Sequence, residues 1–202
     1  MGKLDNKENF LLRTIGNYKD KHNNYPHIAD IDKVVSKLYD AIEHIHNNGF
    51  IDYSDAGTRI SPVVIEADDW TDLPNDGQTF INYDNKPSSV TDLLDVSTGY
   101  LDLTELTVGS ELAVRTQFSI TPSINNPLLQ IRFIFSGGAF SFTKSLGRLD
   151  DGSGKEYEKE VTLPFYIGND ATLNNPVKIQ IKLSTSGTLI NFGSYVSVTK
   201  LK

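Results

Sequence analysis

The sequence predicts a mainly β protein: a C-terminal antiparallel jelly-roll sandwich preceded by a short N-terminal α-helical segment. Three observations carry this. Residues 98–202 alternate apolar and polar side chains with the period of two that a half-buried strand requires, as in "VKIQIKL" and "LLQIRFIF". Turn-forming clusters such as "PSINNP", "SGG", "DDGSG" and "STSG" break that alternation at short intervals, the spacing of a sandwich or jelly roll. Long helical periodicity is missing from the same stretch, which argues against helix-covered parallel strands.

The chain divides into three segments. Residues 1–49 form an N-terminal helical segment, 50–97 an acidic connector with short strands, and 98–202 the head domain. In the first, Pro26 suits an opening turn, and Asp30 and Asp32 complement the positive end of a helix dipole. Gly49, in "NNGF", is placed to end the helix in a left-handed cap. The connector carries ten acids against two basic residues and is rich in Pro, Gly and Asn, with strand candidates at 60–66 and 78–83. In the head, "LLQIRFIF" sets Leu129, Ile131, Phe133 and Phe135 on one face, and "VKIQIKL" does the same with Val177, Ile179, Ile181 and Leu183. Further strands are expected at 100–107, 111–121, 139–144, 159–166, 187–192 and 194–201.

The helix carries the candidate interface. Ile28, Val35 and Ile42 take heptad position a, and Ile31, Leu38 and Ile45 position d. Isoleucine at both positions disfavours a parallel dimer and shifts preference to trimers or tetramers. A helix packed on its own core is the competing reading, because Val34, Tyr39 and Ala41 widen the apolar stripe. Short helices are marginal alone in water, and the first 97 residues offer few regularly spaced apolar residues, so oligomerisation is the expectation, as a homotrimer.

Composition excludes several chemistries. There is no cysteine, hence no disulfide, thiolate metal site or cysteine nucleophile. The net charge is −7 without a basic stripe, so no nucleic-acid partner is expected. No apolar run approaches a membrane span, and the N-terminus lacks a signal-peptide pattern, so neither membrane association nor self-export is expected. His22, His27, His44 and His46 offer no paired helical spacing for a metal. Asp72 and Asp76 fit two positions of a calcium loop, but Pro74 and Tyr83 break it; a non-standard calcium site stays open. "LDDGSGKEYEKE" fails as a phosphate loop and reads as a tight turn between strands. No cofactor, metal or catalytic residue is assigned, and no enzyme is expected. Trp70, the single tryptophan, reads as an anchor in a packed pocket.

"LLDVSTGYLDLTELTVGSELAVRTQFSITPSINNPLLQIRFIF", "LGRLDDGSGKEY" and "NPVKIQIKLSTSGTLINFGSYVSV" together resemble the jelly-roll heads of tailed-bacteriophage fibres, including the trimeric head-fibre proteins that decorate capsids of crAss-like phages. The resemblance covers residues 93–202 best. It implies a structural virion protein, assembled in the host cytoplasm as a homotrimer, docked through its N-terminal segment to a capsid or fibre-base protein and aiding adhesion to host surface glycans. No glycan-binding residue is carried over. Alternatives are a tail-fibre receptor-binding protein, a non-viral carbohydrate-binding module or lectin drawing on Tyr100, Tyr157, Tyr166 and Tyr195, and a polysaccharide-degrading enzyme.

Overall fold

In the computed structural model, residues 32–39, 47–79, 85–87, 89–150 and 152–200 are described. Residues 1–45 and 46–202 form separate compact units. Of the first, the described part is one helix, α1, over 32–39.

The second unit is built from alternation. In β8 (Leu128–Phe135) and β11 (Lys178–Leu183) every second residue is buried, so each strand gives one row to the core and one to water. Ten of the twelve strands make two antiparallel sheets. One sheet runs β10 (Tyr157–Tyr166), β7 (Glu111–Pro122), β12 (Gly187–Thr199), β1 (Asn48–Ser54), β4 (Gln78–Thr79), with β2 (Val63–Ile65) also on β12. The other runs β3 (Trp70–Asp72), β11, β8, β9 (Phe140–Arg148). β5 (Leu94–Asp95) and β6 (Tyr100–Leu101) pair with each other, and Leu101 bridges to Val177. The main strands β1, β3, β7, β8, β9, β10, β11 and β12 change sheet at every step except the β8–β9 hairpin, which is the jelly-roll winding. Between the sheets lie Phe118, Ile120, Leu129, Ile131, Phe133, Leu189 and Val196, all fully buried. Two one-turn helices, α2 (Gly57–Ile60) and α3 (Asp170–Leu173), close loops. No helix among the described residues is long and apolar enough to cross a membrane.

Residues 48–97 supply β1 to β5, and Ile51, Tyr53, Ile65, Leu73 and Leu93 belong to the core. Their acidity reflects local backbone capping. Buried Asp55 accepts from the N–H and hydroxyl of Thr58 at 2.9 and 2.5 Å and from the N–H of Asp76 at 2.9 Å. Asp76 in turn accepts from the N–H of Gly57 at 2.9 Å, and Asp92 accepts from the Tyr53 hydroxyl at 2.5 Å. Each carboxylate satisfies donors that irregular backbone leaves unpaired.

Gly49 lies inside β1, opposite Val198, and does not take the left-handed conformation expected of a helix cap. Glycine is required there because a Cβ would fall on the carbonyl oxygen of Asn85. The expected strands 187–192 and 194–201 are one strand, β12, with a bulge between Asn191 and Gly193. Of 100–107 only Tyr100 and Leu101 are strand; Asp102 then accepts from the N–H and hydroxyl of Thr104 and turns the chain. The segment around Gly152 and Gly154, both at positive φ, is the turn between β9 and β10 that the sequence indicated. Of the 78–83 candidate, β4 holds Gln78–Thr79, and residues 80–83 lie outside the described residues.

Candidate functional site

Two surfaces of the sandwich depart from a plain solvated exterior. The first is its open side. β9 and β10 are edge strands, each bonded to one neighbour, and they end the two sheets on the same side of the sandwich. Phe140 and Phe142 sit opposite Phe135 and Phe133, so they lie on the core face of their sheet. Nothing in the opposing sheet reaches over them: Phe140 is 60% and Phe142 42% exposed, whereas Phe133 and Phe135 are buried. With Phe135, Leu163, Phe165 and Tyr166 they line an open cleft of about 500 Å³. Phe135 packs on Phe140 at 5.8 Å and edge-on to Phe165 at 5.0 Å, so the buried aromatic core runs outward into solvent. Tyr166 is 68% exposed.

On the outer face of the larger sheet, small residues leave a shallow depression of about 320 Å³ lined by Gly49, Ala113, Pro164 and Ser197, with Glu111 at its rim. Phe50 and Tyr195 stack at 5.3 Å on the same sheet face. Pro164 lines both this depression and the aromatic cleft.

The second surface is the outer face of the four-stranded sheet. Strand register lays out rows: Trp70, Lys182, Gln130 and Ser145; then Asp72, Gln180, Arg132 and Thr143; then Lys178, Ile134 and Ser141. A hydrogen-bonded chain crosses the middle row. Arg132 Nε donates to Gln180 Oε1 at 2.7 Å, Gln180 Nε2 to Asp72 Oδ1 at 2.6 Å, and the Tyr100 hydroxyl to Asp72 Oδ2 at 2.6 Å. The Arg132 guanidinium lies 4.2 Å from the Trp70 ring centroid and Lys182 Nζ 5.0 Å from it; Lys178 Nζ is 4.7 Å from that of Tyr100. Trp70 is thus a half-buried platform for two cations, rather than an anchor in a packed pocket. The hydrogen bond to Asp72, then burial, pushes the Tyr100 phenol up to about 12. Burial lowers the Arg132 pKa and the nearby Asp72 charge opposes that shift.

Of the heptad residues, Ile28, Ile31, Ile42 and Ile45 lie outside the described residues. Val35 and Leu38 share α1, three residues apart on one face; Val35 is half-buried and Leu38 37% exposed, while Val34 and Tyr39 are exposed more fully. The four histidines also lie outside the described residues. Asp72 and Asp76, the calcium-loop candidates, are engaged as above, and among the described residues no group of three or more metal-ligating side chains occurs. Tyr100, Tyr157 and Tyr195 are half-buried, leaving Tyr166 as the exposed ring of the four. Arg132, Lys178 and Lys182 read in sequence only as the wet side of alternating strands. Phe140 and Phe142 read only as strand residues, because the pattern does not tell an edge strand from a covered one.

Strand order and winding define a jelly-roll β-sandwich protein. No family model matches the chain, and no curated protein sequence matches it. Among solved structures it is similar to the Eiger TNF of S. frugiperda, at 10% identity over 77% of this chain and 94% of that one, with a TM-score of 0.43. It is similar to the PRD1 vertex protein P5, at 14% identity over 78% and 99%, TM-score 0.41. A carbohydrate-binding module of Cellvibrio mixtus lichenase 5A, in complex with cellotriose, matches at 14% identity over 69% and 98%, TM-score 0.26. Likeness at this level assigns the chain no ligand, partner or role.

Proposed function

We propose that this chain is a structural virion protein that assembles as a homotrimer into a head fibre projecting from a capsid, docked to another virion protein through its N-terminal segment. The carrying observation is the uncovered aromatic side of the sandwich. A contiguous apolar surface that continues the core is what soluble monomers avoid and interfaces use. A second copy is the occupant the molecule itself favours. The cleft and the small-residue depression adjoin at Pro164 but face different ways on one chain, so neither can fill the other within a protomer. A head-to-tail contact, the cleft of one copy over the depression of the next, closes into a ring when the rotation is threefold. Charge is favourable in this arrangement: Lys144 stands on the cleft side of β9 and Glu111 at the depression. The heptad set Ile28, Ile31, Val35, Leu38, Ile42 and Ile45 supports the same stoichiometry. The chemistry is binding, with no reaction assigned, and the virion setting rests on the resemblance of residues 93–202 to fibre heads.

Gold-labelled antibody against the chain, applied to purified particles of the virus encoding it, tests the placement. Label over the capsid surface is the expected result. Label confined to the tail tip favours a tail-fibre receptor-binding protein, and unlabelled particles that also lack the chain by mass spectrometry overturn the virion reading.

A further inference from the structure

We infer that the outer face of the four-stranded sheet is a binding site for the carboxylate groups of an acidic polysaccharide, centred on Arg132 and flanked by Lys178 and Lys182. This goes beyond the assembly reading and stands whether or not the chain trimerises.

A guanidinium recognises a carboxylate best when its plane is fixed and its two terminal nitrogens are free to form parallel hydrogen bonds. Arg132 meets both conditions. Stacking on Trp70 at 4.2 Å sets the plane, and the Nε bond to Gln180 at 2.7 Å sets the rotation, leaving Nη1 and Nη2 without a hydrogen bond to the described residues. Gln180 is itself held by Asp72, and Asp72 by Tyr100, so the arginine is positioned by a chain of fixed groups. Lys178 and Lys182 stand two residues either side of Gln180 on β11, about 7 Å along the strand from it. Both ammonium groups rest on aromatic rings, and neither forms an ion pair among the described residues.

The charge balance points the same way. By register Arg132, Lys178, Lys182 and, opposite Leu128, Arg148 share this face with one carboxylate, Asp72, whose two oxygens already accept hydrogen bonds. Glu66, Asp68 and Asp69 lie on the loop entering β3, and the Asp68 N–H bonds to the carbonyl of Leu183 at 2.9 Å, which places that loop at the Lys182 end of the face. That leaves the Arg132 and Lys178 end of the face away from the acidic loop, and cations grouped there in a chain of net charge −7 favour anions at that end. The surroundings suit a sugar polymer: Gln130, Ser141, Thr143 and Ser145 extend the rows beside Arg132 with neutral donors and acceptors for hydroxyl groups. A nucleic acid would call for a longer basic stripe than these residues make.

The full chain is titrated calorimetrically with polygalacturonate, with its methyl ester, and with double-stranded DNA, at low and moderate salt. Binding to polygalacturonate that weakens with salt, and that is at least about tenfold weaker for the ester and for DNA, is expected. Arg132→Gln lowers affinity for polygalacturonate about tenfold or more, and Lys178→Gln with Lys182→Gln lowers it several-fold, with unchanged mass in solution and thermal midpoint within a few degrees. Absence of polygalacturonate binding, equal affinity for acid and ester, equal affinity for DNA, or an Arg132→Gln protein that binds as wild type overturns the site. Because mass is read in parallel, loss of assembly is seen separately from loss of binding.

Discussion

At the scale of single residues, side chains that look redundant in sequence hold irregular backbone and each other in place. The aspartates of residues 50–97 are the clearest case. Asp55, Asp76 and Asp92 each accept hydrogen bonds that a loop or helix end would otherwise lack, so an acidic segment that reads as a solvated connector is part of the core's frame. Composition could not reveal this, because a capping aspartate and a solvated one are the same letter until the partner N–H is known. Tyr100 makes the residue-scale account measurable. Its phenol donates to Asp72, which favours the neutral form and pushes its pKa up to about 12. An unfolded chain loses that proton near pH 10. Between about pH 10 and pH 12 the unfolded state therefore binds fewer protons than the folded one, and the stabilisation present below pH 10 is lost as pH rises through that window. Burial and the hydrogen bond to Asp92 push the Tyr53 phenol up in the same sense. Absorbance titration of wild type against Tyr100→Phe should show the difference spectrum of one phenol appearing near pH 12, and the urea midpoint of the variant should fall less steeply over this range. A missing phenol that titrates near pH 10 would contradict the hydrogen bond.

At the scale of elements, β12 shows what the pattern of a strand conveys and what it hides. Alternation over 187–192 and 194–201 was legible, and so were β7, β8, β10 and β11, because a half-buried strand writes its two faces into the sequence. That the two stretches are one strand was not legible, since a glycine between them reads as a turn. Gly193 instead forms a bulge at φ +129°, where a Cβ would overlap the carbonyl oxygen of Tyr53 on β1. The Asn191 side chain secures it, accepting from the Gly193 N–H at 3.0 Å and donating to the Pro74 carbonyl at 2.7 Å. Since β12 pairs with β7, β1 and β2, the bulge sits at the centre of the larger sheet. Gly193→Ala combines a left-side backbone angle with a backbone overlap and should cost about 3 kcal/mol or more in denaturant unfolding. Gly138→Ala, also at positive φ but with open space around the added Cβ, should cost clearly less. Equal losses in the two variants would show that the overlap is relieved and the bulge is not tightly held. Short strands such as β3 and β5 were lost for a different reason: two or three residues are too few to display a period.

At the scale of the whole molecule, the jelly roll was readable from turn spacing, but its incomplete side was not. Which strands end a sheet is a property of topology, and the same "AFSFTKS" would be core if another strand lay across it. The winding places β9 and β10 together at one side, and Phe140, Phe142 and Tyr166 stay exposed there among the described residues. The isoleucine heptad is by contrast a purely local pattern, and most of it falls outside the described residues. Both features enter the proposed assembly, in which the cleft of one copy meets the depression of the next and three copies close a ring. The anion site inferred above is independent of that assembly, since Arg132, Lys178 and Lys182 lie on the opposite surface of their sheet from Phe140 and Phe142.

Sedimentation equilibrium of the full chain, at concentrations from below to well above micromolar, tests this most directly, beside a variant carrying Phe140→Ser, Phe142→Ser and Tyr166→Ser. The account predicts that the wild type sediments at three times its 22.4 kDa chain mass, and that the variant, still unfolding cooperatively, shifts toward the single-chain mass as it is diluted. A wild type that remains a single chain at every concentration would contradict it.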